Sequence, residues 1–215
     1  MINENLFKAV KKGNIAKVEK VLKKERINAT TYHGAKSVIF AAEKGYLEIL
    51  KMLLDNGREI PRESFWSNCY NIGLSSMSKA VRNGRTDIVR LLLMYGACTV
   101  EKDLQEVFVK ALLSGNLEIM DILLNEGANI HLKDENGYTP LMSVVLFPSE
   151  NQEATVEWLL KEGVYVNVRR KAWHKDGTTR IWKVRTALSY AEELGKTKIV
   201  EILNNAQNYR KKKKK

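Results

Sequence analysis

Apolar residues recur along this chain in short amphipathic bursts that come in pairs. The first burst of a pair is centred on an alanine and the second on two adjacent leucines, with a glycine after each. Ala41-Gly45-Leu53-Leu54-Gly57, Ala80-Gly84-Leu92-Leu93-Gly96 and Ala111-Gly115-Leu123-Leu124-Gly127 share every interval. An opening copy reads Ala9, Gly13, Val21, Leu22, and a closing one reads Ala191, Gly195, Ile202, Leu203. Another copy, Val144 to Gly163, keeps Leu159-Leu160 and its final glycine but takes extra residues around Pro148. Self-similarity of this kind predicts a repeat architecture rather than one globular core.

Each copy predicts two short antiparallel helices. The first glycine ends helix one and the second ends helix two, at positions that need a left-handed backbone. Small alanines let neighbouring first helices pack closely. In the second helix, Ile49, Leu50, Met52, Leu53 and Leu54 offer more apolar surface than an isolated pair could cover, so burial requires the next pair to stack on it. The predicted fold class is all-α, a solenoid of about six helix pairs, near residues 4–27, 36–60, 75–99, 106–130, 139–166 and 186–205. Leu53, Leu54, Leu92, Leu93, Leu123 and Leu124 are its expected core.

Two phrases sharpen this reading. Asp134-Glu135-Asn136-Gly137-Tyr138-Thr139-Pro140-Leu141 resembles the opening of an ankyrin repeat, and Asn125-Glu126-Gly127-Ala128-Asn129-Ile130 resembles the close of one. The resemblance, to the ankyrin-repeat family, extends over nearly the whole chain. The Thr-Pro-Leu-His phrase survives only as Thr139-Pro140-Leu141-Met142 and, more weakly, as Thr186-Ala187-Leu188-Ser189; elsewhere its leucine position stays apolar as Leu6, Val38, Met77 and Phe108. In the family the missing Thr and His tie adjacent repeats together, which implies less regular stacking here. The resemblance also implies that the residue before each repeat's alanine faces a concave groove. That row is Lys8, Phe40, Lys79, Lys110, Ser143 and Tyr190, suited to an acidic segment with an apolar anchor, or else simply a set of helix-favouring surface lysines.

Spacing between copies singles out two enlarged fingers, 58–74 and 164–185. In the first, Phe65, Trp66 and Tyr70 read as a small satellite core. In the second, Asp176-Gly177 between runs rich in β-branched, aromatic and basic residues predicts a β-hairpin over 168–185. A turn at Asp176-Gly177 would set Trp173 opposite Arg180, Lys171 opposite Trp182, and Arg170 opposite Lys183, the last unfavourable without an anion nearby. The candidate contact residues there are Arg169, Arg170, Lys171, Trp173, Lys175, Arg180, Trp182, Lys183 and Arg185. The alternative is a solvated edge hairpin whose charges only block edge-to-edge pairing.

Charge supports that focus. The net charge of +11 resides in 168–185 and in 210–215, each at +6, so the rest of the chain is close to neutral. The hairpin and the groove row are therefore expected to bind an acidic protein surface or segment. Nucleic acid or an anionic surface, met by the hairpin and by the lysine tail Lys211–Lys215, is the alternative. Residues 206–215 are expected to form a basic, disordered tail.

Little suggests catalysis. His33, His131 and His174 lie in different inter-repeat segments, and no nucleophile elbow, phosphate loop or metal-ligand spacing occurs. No enzyme activity, cofactor or metal is expected, and the chain is expected to be a monomer. Cys69 and Cys98 are too few and too far apart for a disulfide framework. With no signal-peptide stretch and no membrane-spanning run, a reducing cytoplasm is the expected location, with delivery into a host cell by a route that needs no signal peptide as the other possibility.

Overall fold

A computed structural model describes residues 2–24, 32–57, 72–98, 100–149, 151–176 and 179–212. Among these residues lie twelve helices and one two-stranded sheet. The helices fall in pairs: α1 (Ile2–Lys11) with α2 (Ile15–Leu22), α3 (Tyr32–Lys44) with α4 (Leu47–Asn56), and α5 (Ile72–Arg82) with α6 (Thr86–Met94). The series continues with α7 (Glu101–Ser114) and α8 (Leu117–Asn125), α9 (Pro140–Leu146) and α10 (Gln152–Lys161), and α11 (Ala187–Glu193) and α12 (Thr197–Lys212). Strands β1 (Arg170–Asp176) and β2 (Thr179–Arg185) form the sheet. No helix among the described residues is long and apolar enough to cross a membrane. Phe65, Trp66 and Tyr70 of the first enlarged finger lie outside the described residues.

The chain divides into two compact units, residues 1–111 with 118–128, and residues 112–117 with 129–215. In the first, α1, α3 and α5 pack in succession, as do α2, α4 and α6. In the second, α9 packs on α11 and α10 on α12. This is the predicted all-α helix-pair stack, with the sheet confined to the second enlarged finger.

The recurrent spacing has a specific backbone cause. The residue after the first glycine donates its N–H back to the repeat's alanine carbonyl: Asn14 to Ala9 at 3.2 Å, Tyr46 to Ala41 at 3.0 Å, Arg85 to Ala80 at 2.9 Å and Lys196 to Ala191 at 2.9 Å. The glycine itself, at φ of 62–75°, donates to the residue after that alanine. This is a Schellman closure, and its left-handed residue explains the glycine four positions on. Second helices end alike, Ala97 donating to Leu92 at 2.9 Å, Ala128 to Leu123 at 3.0 Å and Val164 to Leu159 at 3.1 Å. Gly57 departs from the expectation, with φ −87° and an ordinary helical bond to Leu53.

That geometry corrects the expected core. The closure of the second helix is made to the first leucine of the pair, and Leu92, Leu123 and Leu159 there have no exposed surface; Leu53 is equally buried although its helix ends without that closure. The next residue is rotated by about 100° on a 3.6-residue helix. Leu54 stays buried, but Leu93 and Leu124 are only half-buried.

The hairpin forms as expected, in a different register. Arg170 pairs with Arg185, Lys171 with Val184, Ala172 with Lys183, Trp173 with Trp182, Lys175 with Arg180 and Asp176 with Thr179. The pair nearest the turn is Asp176 with Thr179 rather than Lys175 with Thr178, so every partner moves by two positions. In the sequence, Gly-Thr suits a two-residue loop as well as Asp-Gly does. The expected facing of Trp173 with Arg180, Lys171 with Trp182 and Arg170 with Lys183 does not occur. The expected tail also changes, because the last helix continues through Lys212 and so takes in residues 206–212.

Candidate functional site

The hairpin is rooted by two arginines that face each other across the ladder. At the root of β1, Arg170 donates from Nε to the Asn136 carbonyl at 2.7 Å and from Nη1 to the Tyr190 hydroxyl at 3.1 Å. Its guanidinium lies 3.8 Å from the centre of the Tyr138 ring. The Asn136 carbonyl is presented by a turn that Asp134 holds, its Oδ1 accepting from the Asn136 and Tyr138 amides at 2.9 and 2.8 Å. At the root of β2, Arg185 is 7% exposed. It forms a forked pair with Glu193, Nη1 to Oε2 at 2.6 Å and Nη2 to Oε1 at 3.0 Å. Planar guanidinium groups suit such two-point anchoring better than ammonium groups would.

Three expected contact residues are thereby reassigned. Arg170, Arg185 and Tyr190 hold the hairpin to its repeat rather than facing outward. Tyr190 is 7% exposed, and burial pushes its hydroxyl above the usual tyrosine range. The remaining cations split by position. Arg169, Lys171 and Lys183 are exposed and make no ion pair among the described residues. Trp173, Lys175, Arg180 and Trp182 occupy paired strand positions, but their side chains lie outside the described residues.

The groove row is less open to an acidic ligand than expected, because its lysines already hold carboxylates of this chain. Lys8 pairs with Glu4 at 2.6 Å, Lys79 with Glu43 at 3.2 Å, and Lys110 with Glu106 at 2.6 Å. Lys8 accordingly holds the Glu4 carboxyl below the usual range. Lys110 also donates to the Ser78 hydroxyl at 2.8 Å. Phe40 is half-buried, edge-on to Phe7 with ring centres 5.9 Å apart. Ser143 is buried.

Sequence reasoning passed over the Tyr165 ring, which is 61% exposed and stacks on His131 at 4.1 Å between ring centres. Each follows a repeat-closing glycine, His131 four residues after Gly127 and Tyr165 two residues after Gly163, so no common offset in the sequence pointed to the pair. Val184, 53% exposed beside Lys183, is a second apolar contact that composition did not reveal.

No group of acids, histidines and cysteines among the described residues could hold a metal ion. Burial, with Asp103 nearby, pushes the Cys98 thiol up to about 12, so it is a core side chain and not a nucleophile.

The family model described as Ankyrin repeats (3 copies) matches residues 77–170 and 108–214. The chain belongs to the ankyrin-repeat family. An ankyrin repeat protein of Acanthamoeba polyphaga mimivirus is 34% identical over 39% of this chain and 52% of its own length. One from Fowlpox virus is 26% identical over 66% of this chain and 41% of its own. An Arabidopsis thaliana potassium channel is 27% identical over 77% of this chain and 20% of the channel. The chain thus spans about half or less of the length of these relatives. Among solved structures, the human ASB11 ankyrin repeat domain superposes with a TM-score of 0.69 at 21% identity, covering 94% of this chain and 82% of that one. An Acinetobacter baumannii ankyrin repeat domain gives 0.67 at 22%, covering 94% and 97%. Ankyrin repeats are generic protein–protein interaction modules, and the family is typically non-enzymatic.

Proposed function

We propose that this ankyrin-repeat chain binds an acidic segment of another protein, with the hairpin as its main contact. The observation that carries the reading is the division of labour among the hairpin cations. Arg170 and Arg185 are spent on anchoring, whereas Arg169, Lys171 and Lys183 are left exposed without an ion pair among the described residues. A hairpin rooted at both strands suits recognition, because less backbone ordering remains to be lost when its exposed cations meet a partner. The tryptophans at the paired positions 173 and 182 belong to a residue type enriched among interface anchors. The lysine row of the first helices is secondary, since an acidic ligand there must displace Glu4, Glu43 and Glu106.

The test is the joint substitution Lys171→Glu and Lys183→Glu in the full chain, titrated with a glutamate-rich peptide and, separately, with duplex DNA at physiological salt. Both lysines are exposed, so the melting midpoint should stay unchanged while peptide affinity falls by about tenfold or more, as expected for charges that steer and orient a partner. Submicromolar binding to DNA that persists after removal of Arg210–Lys215, with no binding to the peptide, would overturn the reading in favour of nucleic acid.

A further inference from the structure

We infer that β2 is an open edge strand that receives the acidic segment by main-chain pairing, as a third strand of the hairpin sheet. The inference rests on the function proposed above and adds the mode of recognition. The sheet has two strands in the order β1, β2, and no third strand lies beside either among the described residues. In an antiparallel ladder, successive pairs alternate between exchanging both main-chain bonds and exchanging none. Counted from the closing pair Asp176 and Thr179, the residues whose N–H and C=O groups turn outward on β2 are Arg180, Trp182 and Val184. Three consecutive outward donor–acceptor sets are what an extended peptide needs to register on a sheet.

The two edges are not equivalent. At the root of β1, Arg170 reaches the Asn136 carbonyl and stacks on Tyr138, so the turn 134–138 belongs to that side. At the root of β2, Val184 is 53% exposed and, among the described residues, its main chain makes no hydrogen bond to a segment outside the hairpin.

Charge selects the occupant. Apart from Arg185, which Glu193 neutralises, β2 carries Arg180 and Lys183 and no acid. Cations on an edge strand oppose pairing with a like-charged strand, which discourages a second copy of this hairpin. An acidic strand meets the same edge with opposite charges across the new ladder, where cross-strand pairs of opposite sign are favourable.

The probe is a blocked heptapeptide of alternating glutamate and valine, with two variants N-methylated on alternate amides in opposite phase, titrated against the full chain. The expected result is that one N-methylated phase binds as the parent does, while the other loses about tenfold or more, the loss of a few main-chain hydrogen bonds. Amide exchange at Arg180, Trp182 and Val184 should slow on binding the parent peptide. Equal binding of all three peptides would overturn strand addition and leave the acidic-segment reading standing. No binding of any of them would overturn both. A concentration-dependent dimer that the peptide does not dissociate would assign the edge to a second copy and overturn the inference.

Discussion

The first helices of the two units start in different ways although they obey the same spacing. In the second unit, α9 and α11 begin four residues before Val144 and Ala191 and are seven residues long. Thr139 and Thr186 stop each helix from starting earlier: both have extended backbones, and their hydroxyls accept from the Met142 and Ser189 amides at 3.2 Å. In the first unit that threonine is absent, and α3 and α5 begin nine and eight residues before Ala41 and Ala80. Ser37 and Ser76 occupy the position that Pro140 holds, each fully buried inside the helix. Gly34 and Gly73, one turn earlier, are buried too, and these small residues let the lengthened helices pack side by side. Where a capped start is missing, the helix therefore runs on through it, and small residues line the buried face that the extra turns add.

The comparison can be broken from its strongest point downward. Leu123→Ala in the first unit and Leu159→Ala in the second should each cost about 2–5 kcal/mol in urea melts, because both leucines sit at the same fully buried helix closure. A loss in one unit but not the other would mean that the closure is not shared. Restoring the family phrase in the first unit should harm it. Ser37→Pro places proline inside α3 and should cost about 3 kcal/mol or more, although proline is native at the same offset in α9. If the variant melts at the wild-type midpoint, the long start of α3 is wrong.

A smaller effect is expected at the hairpin root, which has no counterpart in the described part of the first unit. Arg185→Ala should cost roughly 1.5 kcal/mol, the low end for hydrogen bonds to charged groups, since the Glu193 side chain left behind is 44% exposed. The same substitution should increase the mobility of the hairpin amides while leaving α3 and α5 unaffected. Smallest are the caps. Thr139→Ala and Thr186→Ala should each cost about 1 kcal/mol, the usual worth of a threonine cap. Lys36→Ala, at the equivalent offset in the middle of α3, should stay within about 0.5 kcal/mol of wild type.

The sequence by itself determined the repeat. An alanine or leucine, three residues and a glycine is the local requirement of a Schellman closure, and it depends only on backbone geometry within six residues. The hairpin in 168–185 was legible for the same reason, since turn chemistry and strand-forming flanks are local. Its register was not, because Asp-Gly and Gly-Thr both satisfy a two-residue loop. Other features depended on residues distant in sequence. That Arg170 and Arg185 serve as anchors is decided by Asn136, Tyr138, Tyr190 and Glu193, and nothing in the run of cations separates them from Lys171 and Lys183. The neutralisation of Lys79 is likewise set by Glu43 on the neighbouring first helix. The second leucine of each pair could not be assigned from pattern alone either, because its burial depends on what the next repeat brings against it. Backbone closures are short-range and therefore readable in the sequence; the pairing of charges and the covering of half-buried side chains are long-range, and only the packed repeats decide them.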